Sequence, residues 1–564
     1  MATHYKDLRD MLENIEKQYS NEVAFKIKYK STIVEVKYSK FIEDVKNFGS
    51  YLLSLDLKSK RVAIISSNRY EWCVAYMATA TSDLTVVPLD KSLTENEFHS
   101  LIERSKSDVI IYENKYQEFI DNEKANPKTS VKKFIDMDIE MNSCYDGGKV
   151  LLLKKNAQYN RVKIINDKMR FMIFTSGTTA MSKCVMLSHR NICTNIEQID
   201  DRLDVTKDDT LLSFLPIHHT FECTAGFLYP ISKGASIAFC EGLRHIANNL
   251  KEFGVTAMIS VPALYETMYK KMWKAIIDNK KETQVKVALK ASEALLKVGI
   301  DMRKQLFKPM IESIGGKARL FVSGAAGINQ DVLKGFNDFG IPLYQGYGLT
   351  ETSPVVSVEN SEWSRLGSVG KPLNKVEIKI EEPNEEGIGE ILIKSPIVMI
   401  GYYENEEATK NAFSHGWLKT GDLGRMDSDG YLYITGRKKD VIVLKNGKNI
   451  FPEELESLVN NMDCVKESIV YGSKMEDNDL ELRAKIVYDK DAVIEKYGIL
   501  QDEELKEIFW NLIKETNKTM PTYKYIKKIM VTDEPLIKTT TNKVKRHEEI
   551  KKIIEEELKG VNNP

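Results

Sequence analysis

At 564 residues the chain exceeds one ordinary domain, so two or more hydrophobic cores are expected. Its 42% hydrophobic and 29% charged residues are normal for a globular protein that folds in water. The 81 basic and 82 acidic residues leave a net charge of −1, which removes the electrostatic case for a nucleic-acid partner.

Cys73, Cys144, Cys184, Cys193, Cys223, Cys240 and Cys464 form no CxxC pair and no metal-ligand spacing. They are expected to be reduced, mostly buried thiols of a cytoplasmic protein. The opening residues, Met1-Ala-Thr-His-Tyr-Lys-Asp7, lack the apolar core of a signal peptide. No apolar run approaches the roughly 18 residues of a membrane span. Any membrane contact is therefore expected to be peripheral.

In chain order, residues 61–66 read as a buried strand, 70–81 as a helix with an apolar face, and 84–89 as a second strand. A helix near 95–105 and a strand at 108–112 continue this βαβ alternation. Residues 171–174 read as another buried strand, running into Thr175-Ser176-Gly177-Thr178-Thr179 with Lys183 beyond. Clustered hydroxyl and N–H donors beside a cation suit a polyphosphate, and Gly177 lets the backbone come close to it. The loop is not the common P-loop, because Ser182 and Cys184 stand where that pattern needs Gly and Ser or Thr. Taken alone, a Ser/Thr-rich surface turn explains it as well.

Strand–helix alternation returns at 257–261, 318–323 and 341–344, which makes this an α/β protein with largely parallel sheets. The interval Pro262–Gly324 carries two long helical segments, 264–277 and 284–311. From about 365 the texture changes to short strands and Gly-rich turns (376–380, 389–394, 431–434), a small β-rich subdomain ending at 436. An α+β segment follows, with helix 452–460, strands 467–472 and 482–488, helix 503–517 and a Lys/Glu-rich helical tail at 545–560. The expected organisation is a large N-terminal α/β domain of layered sheets (1–436), a hinge at 437–440 and a small mobile α+β domain (441–564).

The phosphate-like loop is followed, in order, by Tyr347-Gly-Leu-Thr-Glu-Thr352, Thr420-Gly-Asp-Leu423, Ile434-Thr-Gly-Arg-Lys-Lys-Asp440 and Lys538-Thr-Thr-Thr-Asn-Lys543. These five motifs, in register over nearly the whole chain, resemble those of the adenylate-forming superfamily. Within it the chain looks most like the long-chain fatty acyl-CoA synthetases, whose extra helices match the interval after Pro262. The resemblance implies activation of a fatty acid by ATP and Mg²⁺ through an acyl adenylate, then transfer to the thiol of coenzyme A.

It also implies roles. Thr175, Ser176, Gly177, Thr178, Thr179 and Lys183 would hold the β- and γ-phosphates. Thr350 would bind the α-phosphate and Glu351, with Thr178, the Mg²⁺, which favours oxygen ligands. Gly324, Ala325 and Ala326 would flank adenine beside Tyr347 and Gly348. Asp422 would take the ribose hydroxyls, Arg437 ribose or phosphate, and Lys543 the transition-state charge. Lys439 aligns with the hinge; Gly447, Lys448 and Asn449 line the thiol path; His219 packs near the carboxylate. Gly348 stands where acetate-using members carry a bulky aromatic, which leaves room for a long chain. Ala180, Ser182, Cys184, Asn542 and Gly327 depart from the usual pattern without removing a charged or hydroxylated catalytic group. Cys184, beside a lysine, reads as an inert thiol in preference to an oxidation-sensitive one. An acyl carrier protein as thiol acceptor, or a non-catalytic acyl- or nucleotide-binding relative, are the alternatives. Oligomeric state is left open.

Overall fold

The computed structural model describes residues 4–175, 182–444, 448–474, 480–539 and 544–561. The chain divides into two compact units, Met1–Glu377 with Ile393–Leu418, and Ile378–Leu392 with Lys419–Pro564.

The first unit is built on two sheets. One has the strand order Gly401–Tyr402, Lys183–Ser188, Met169–Thr175, Thr85–Pro88, Arg61–Ile65, Val109–Tyr112 and Lys133–Asp136. Its last five strands are parallel, and Lys183–Ser188 returns antiparallel to Met169–Thr175. The other sheet places Leu343–Gly348, Leu320–Ser323, Ala257–Ser260, Thr210–Ser213, Ser236–Phe239 and Val23–Tyr29 side by side in parallel, with an antiparallel strand at each edge. Strands of this kind are short and buried throughout, as Val109–Tyr112 and Ala257–Ser260 are.

The helix Tyr70–Thr81 was expected to show one apolar face. Instead every residue from Trp72 to Thr81 is buried, the signature of a helix enclosed by packing on all sides. Tyr76 stacks on Phe171 of one sheet at 5.7 Å and meets Phe227, from the segment after Thr210–Ser213, edge-on at 6.3 Å. A single hydrophobic cluster thus joins Val62, Ile64 and Phe171 to Leu211, Ile237 and Val322.

Two expected boundaries shift. The strand expected at 341–344 runs from Leu343 to Gly348; Pro342, which has no N–H to give to a ladder, precedes it. The helix expected at 284–311 is broken into Glu282–Lys297, Arg303–Leu306 and Lys308–Ser313. Gly299, at φ +81°, ends the first piece. The inner faces of these helices pack Met272, Ile276, Val285 and Phe307 on the cluster around Phe336 and Phe339.

Gly389–Lys394, Trp417–Met426 and Leu432–Arg437, most of whose residues fall in the second unit, belong to one sheet. A separate three-stranded sheet pairs Val465–Lys474 antiparallel to Leu480–Tyr488, with Lys528–Thr532 parallel to the latter. Helices Pro452–Asn460, Asp502–Asn517 and Arg546–Val561 accompany it, and Leu455, Val470, Ile486, Phe509 and Ile513 form the core. Among the described residues, no helix is long and apolar enough to cross a membrane.

Candidate active site

In open parallel sheets, ligands bind beyond the carboxyl ends of the strands. Four neighbouring strands of the larger sheet deliver the expected residues at that edge. Leu320–Ser323 and Leu343–Gly348 pair in parallel (Ser323↔Gln345), so Gly324-Ala325-Ala326 and Tyr347-Gly348-Leu349-Thr350-Glu351 emerge side by side. Ala257–Ser260 lies on the other flank, and the Gly324 N–H donates to the Ser260 carbonyl at 2.9 Å. Thr210–Ser213 is followed by His218, His219 and Phe221. A Cβ on Gly324 would fall 2.7 Å from the Phe221 ring, so glycine is what lets these two loops touch. Ala325 holds φ +71° on an exposed loop, a conformation that costs a non-glycine residue about 1 kcal/mol or more and gathers at ligand sites.

The phosphate side is carried by the hairpin Met169–Thr175/Lys183–Ser188, in which Thr175 pairs with Lys183. The Arg104 guanidinium donates to the Ser182 hydroxyl at 3.0 Å and to its carbonyl at 2.5 Å, and lies 5.3 Å from the Phe174 ring centre. It therefore holds both flanks of the loop. The Ser182 hydroxyl, one of the departures from the usual pattern, supplies one of those contacts. Ser176, Gly177, Thr178 and Thr179 lie outside the described residues.

Glu351 and Lys183 meet through a residue that the sequence reading missed. The Tyr402 hydroxyl donates to Glu351 Oε1 at 2.9 Å, and the Lys183 ammonium sits 4.7 Å from the centre of the same ring. The strand Gly401–Tyr402 reaches that place by pairing with Lys183–Ser188 (Tyr402↔Val185). The Met399 N–H donates to the Glu351 carbonyl at 2.8 Å. Nothing in the local sequence, Ile400-Gly-Tyr-Tyr403, marks Tyr402 as functional. The second oxygen of Glu351 has no partner among the described residues, and the side chain is half-buried. A half-buried carboxylate with one oxygen unengaged by the described residues fits Mg²⁺.

The His218 and His219 rings lie 4.1 Å apart, tilted by 42°, and His218 Nε2 lies 3.4 Å from Asp90 Oδ2. Asp90, His218 and His219 each offer a donor atom within 4.8 Å of the others, a nitrogen-rich set better suited to a transition metal than to Mg²⁺. Just beyond, the Ser213 hydroxyl donates to Glu222 Oε1 at 2.6 Å. Complete burial pushes the Glu222 carboxyl up to about 8. Its Oε2 is buried without a partner, as suits a neutral acid.

In the second unit, Asp422 and Arg437 face each other across antiparallel strands and form an ion pair, Nε to Oδ1, of 2.8 Å. Two residues read separately as nucleotide contacts are thus one assembly. Asp422 is nearly buried, and its N–H donates to the Thr420 hydroxyl at 3.0 Å. Glu390 braces the same corner, accepting from the Gly421 N–H at 3.2 Å and the Lys438 ammonium at 2.6 Å. Lys439 lies exposed in the turn Lys438–Asp440. The Lys448 ammonium sits 4.0 Å from the Tyr523 ring centre, and Asn449 opens a short strand paired with Ile442–Val443. Gly447 and Lys543 lie outside the described residues. The base of the Lys543 loop is fixed: Lys538 bridges to Val544, Glu467 accepts from the Leu536 N–H and pairs with Lys538 at 2.5 Å, and the Ile537 N–H donates to Glu549 at 2.8 Å. Glu549 in turn pairs with Lys485 at 2.8 Å, both fully buried.

Gly348 was expected to leave space for an acyl chain; a Cβ there would fall 2.0 Å from the Pro354 carbonyl oxygen, so its own hairpin also requires the glycine. Cys184 is buried, and burial pushes its thiol up to about 12, which makes it unreactive near neutral pH.

The sequence profile of the family described as AMP-binding enzyme matches residues 12–403, and that of the AMP-binding enzyme C-terminal domain matches residues 439–558. Among characterised relatives, a long-chain-fatty-acid–CoA ligase of Mycobacterium bovis, FadD15, is 27% identical over 442 residues, covering 75% of this chain and 72% of its own. A chloroplastic long-chain-fatty-acid–[acyl-carrier-protein] ligase of Arabidopsis thaliana, AEE15, is 25% identical over 640 aligned positions, covering 98% and 86%. The crystal structure of ATP-bound MatB from Rhodopseudomonas palustris shares the fold with a TM-score of 0.75 at 23% identity, over 96% of this chain and 98% of that one.

Proposed function

Because this chain belongs to the AMP-binding enzyme family and is an adenylate-forming acid–thiol ligase, we propose that its acid is a medium- or long-chain fatty acid and its acceptor the thiol of coenzyme A. A carboxylate oxygen of the fatty acid attacks the α-phosphorus of ATP, the bond to the β-phosphate oxygen breaks, and pyrophosphate leaves. The thiol, losing its proton, then displaces AMP from the acyl carbon. The observation that carries this reading is the tie of Glu351 and Lys183 through Tyr402 at the strand edge that also presents Thr350 and Ala325.

In this reading Lys183 and the loop before it hold the β- and γ-phosphates, and Thr350 donates to the α-phosphate. Mg²⁺, when bound, would neutralise charge on the phosphate oxygens, and Glu351 is the residue that would hold it. Asp422 accepts from the ribose hydroxyls, with Arg437 holding its orientation. Lys543 stabilises charge that develops only as the carboxylate attacks. Lys439 is the pivot that withdraws it, and Lys448 and Asn449 then face the thiol. His219 packs beside the carboxylate. Long-chain preference is supported by relatives named as long-chain-fatty-acid–CoA ligases.

The Arabidopsis relative, which aligns with 98% of the chain, favours a second acceptor, an acyl carrier protein. Both acceptors present the same phosphopantetheine thiol. The experiment is to measure the half-reactions separately in Lys543→Ala, with coenzyme A and a holo carrier protein supplied in parallel. Adenylation should fall at least about a hundredfold, while transfer from supplied acyl adenylate persists and is faster to coenzyme A. Equal loss in both halves would remove the role of Lys543, and faster transfer to the carrier would replace the acceptor.

A further inference from the structure

The carboxyl ends of the two large sheets bring together a cluster that the proposed reaction uses only in part. Asp90 follows the strand Thr85–Pro88 of one sheet, and His218 and His219 follow Thr210–Ser213 of the other. Both arms are held. Asp90 Oδ1 accepts from the Ser92 N–H at 2.8 Å, which fixes the carboxylate. The Asn68 carboxamide donates to the Ser213 hydroxyl at 2.9 Å and the Leu215 carbonyl at 2.7 Å, and accepts from the Ile217 N–H at 3.3 Å. That pins the segment leading into the histidines. His218 is only 6% exposed, and its Nε2 is buried with no hydrogen-bond partner among the described residues, although Asp90 Oδ2 is 3.4 Å away. A buried ring nitrogen left so calls for an explanation. The spacing offers one. With metal–donor bonds of about 2.1 Å, neighbouring corners of a tetrahedron stand about 3.4 Å apart. His219 supplies a third donor, and all three donor atoms lie within 4.8 Å of one another.

We propose that Asp90, His218 and His219 bind a divalent transition metal, zinc in particular, with a ligand set separate from Glu351. Two imidazoles and one carboxylate suit zinc, whose fourth position is then left to water. Mg²⁺ prefers oxygen ligands in an octahedron and is not served by this set. The Asp90 side chain keeps 21% of its exposure, so the ion has a way in from solvent. One consequence rests on the proposed function, which sets His219 beside the acid carboxylate. A loaded metal engages that ring, so metal and acyl group each weaken the binding of the other by the same factor.

The test uses the full-length protein without a polyhistidine tag, stripped with chelator, returned to millimolar Mg²⁺ and titrated with Co²⁺, whose visible absorption reports its ligands. Wild type should bind about one Co²⁺ per chain with nitrogen and oxygen ligands. Zn²⁺ should displace it and raise the thermal midpoint. His218→Gln and Asp90→Asn should each bind at least about tenfold more weakly, with metal-free midpoints close to that of wild type, and Glu351→Gln should bind as wild type does. No visible band, a near-ultraviolet band of thiolate ligation, or affinities untouched by both variants would overturn the proposal. So would loss of binding in Glu351→Gln, since the ion would then sit at the Mg²⁺ carboxylate. With a saturating acyl-sulfamoyl adenosine, which mimics the adenylate without reacting, Co²⁺ should bind at least about tenfold more weakly. Unchanged binding there would remove His219 from the acid and leave the metal site standing.

Discussion

The Tyr402 hydroxyl stands 2.9 Å from Glu351 Oε1 while its ring lies under the Lys183 ammonium. One side chain thereby fixes the spacing between a carboxylate suited to a metal and a cation suited to phosphate. Tyr402→Phe keeps the ring beneath Lys183 and removes only the hydrogen bond, worth about 1 kcal/mol in stability. The larger effect is expected in the Mg²⁺ dependence of the rate. The concentration giving half-maximal activity should rise several-fold with kcat nearly restored at saturation. An Mg²⁺ titration of wild type and variant checks this; superimposable curves would show that Tyr402 only packs.

Gly348→Ala should destabilise the protein, because its Cβ has nowhere to go but into the Pro354 carbonyl. Overpacking of this kind costs typically 1–3 kcal/mol. The thermal midpoint should fall and activity on all chain lengths should fall together. Thermal melts with kcat/KM on a short and a long acid make the measurement. A selective loss of long acids in a protein of unchanged midpoint would place Gly348 on the acyl path.

Much of this was legible in the sequence, and the parts that were not share a cause. Periodicity located Tyr70–Thr81, Glu95–Ser105, Pro452–Asn460 and Asp502–Asn517 within a residue or two, because apolar spacing and flanking turns are local properties. What the Tyr70–Thr81 helix lies against is not local, and its complete burial was missed. In the site, motif order named Thr350, Glu351, Asp422 and Arg437, but not that Asp422 and Arg437 are paired or that Tyr402 bridges Glu351 to Lys183. Those are contacts between residues distant in the chain. At Gly348 the sequence offered space as the reason for a glycine, and the backbone adds a second reason that only the fold reveals.

Glu222 supplies a pH signature. Burial raises its folded-state value to about 8, from an ordinary 4.5. Between these values the folded state holds a proton that the unfolded state has lost, so stability falls as pH rises. The contribution is complete below the lower value and gone above the higher. Glu222→Gln keeps the shape and the acceptor for Ser213 without titrating. The thermal midpoint of wild type minus that of the variant should therefore decline steadily from about pH 5 to pH 8 and level off beyond. A difference constant over that range would mean that the carboxyl is ionised in the fold.

The central claim is AMP-forming activation of a fatty acid, and product analysis over a panel of acids tests it most directly. The protein is incubated with ATP, Mg²⁺, coenzyme A and each even-numbered saturated acid from acetate to stearate, and AMP, ADP, pyrophosphate and phosphate are quantified. Each buried methylene is worth roughly 0.8 kcal/mol. AMP and pyrophosphate should therefore appear in equal amounts, with kcat/KM climbing at least about a hundredfold from acetate to the C12–C18 acids. Formation of ADP and phosphate, or a flat response to chain length, would contradict the account.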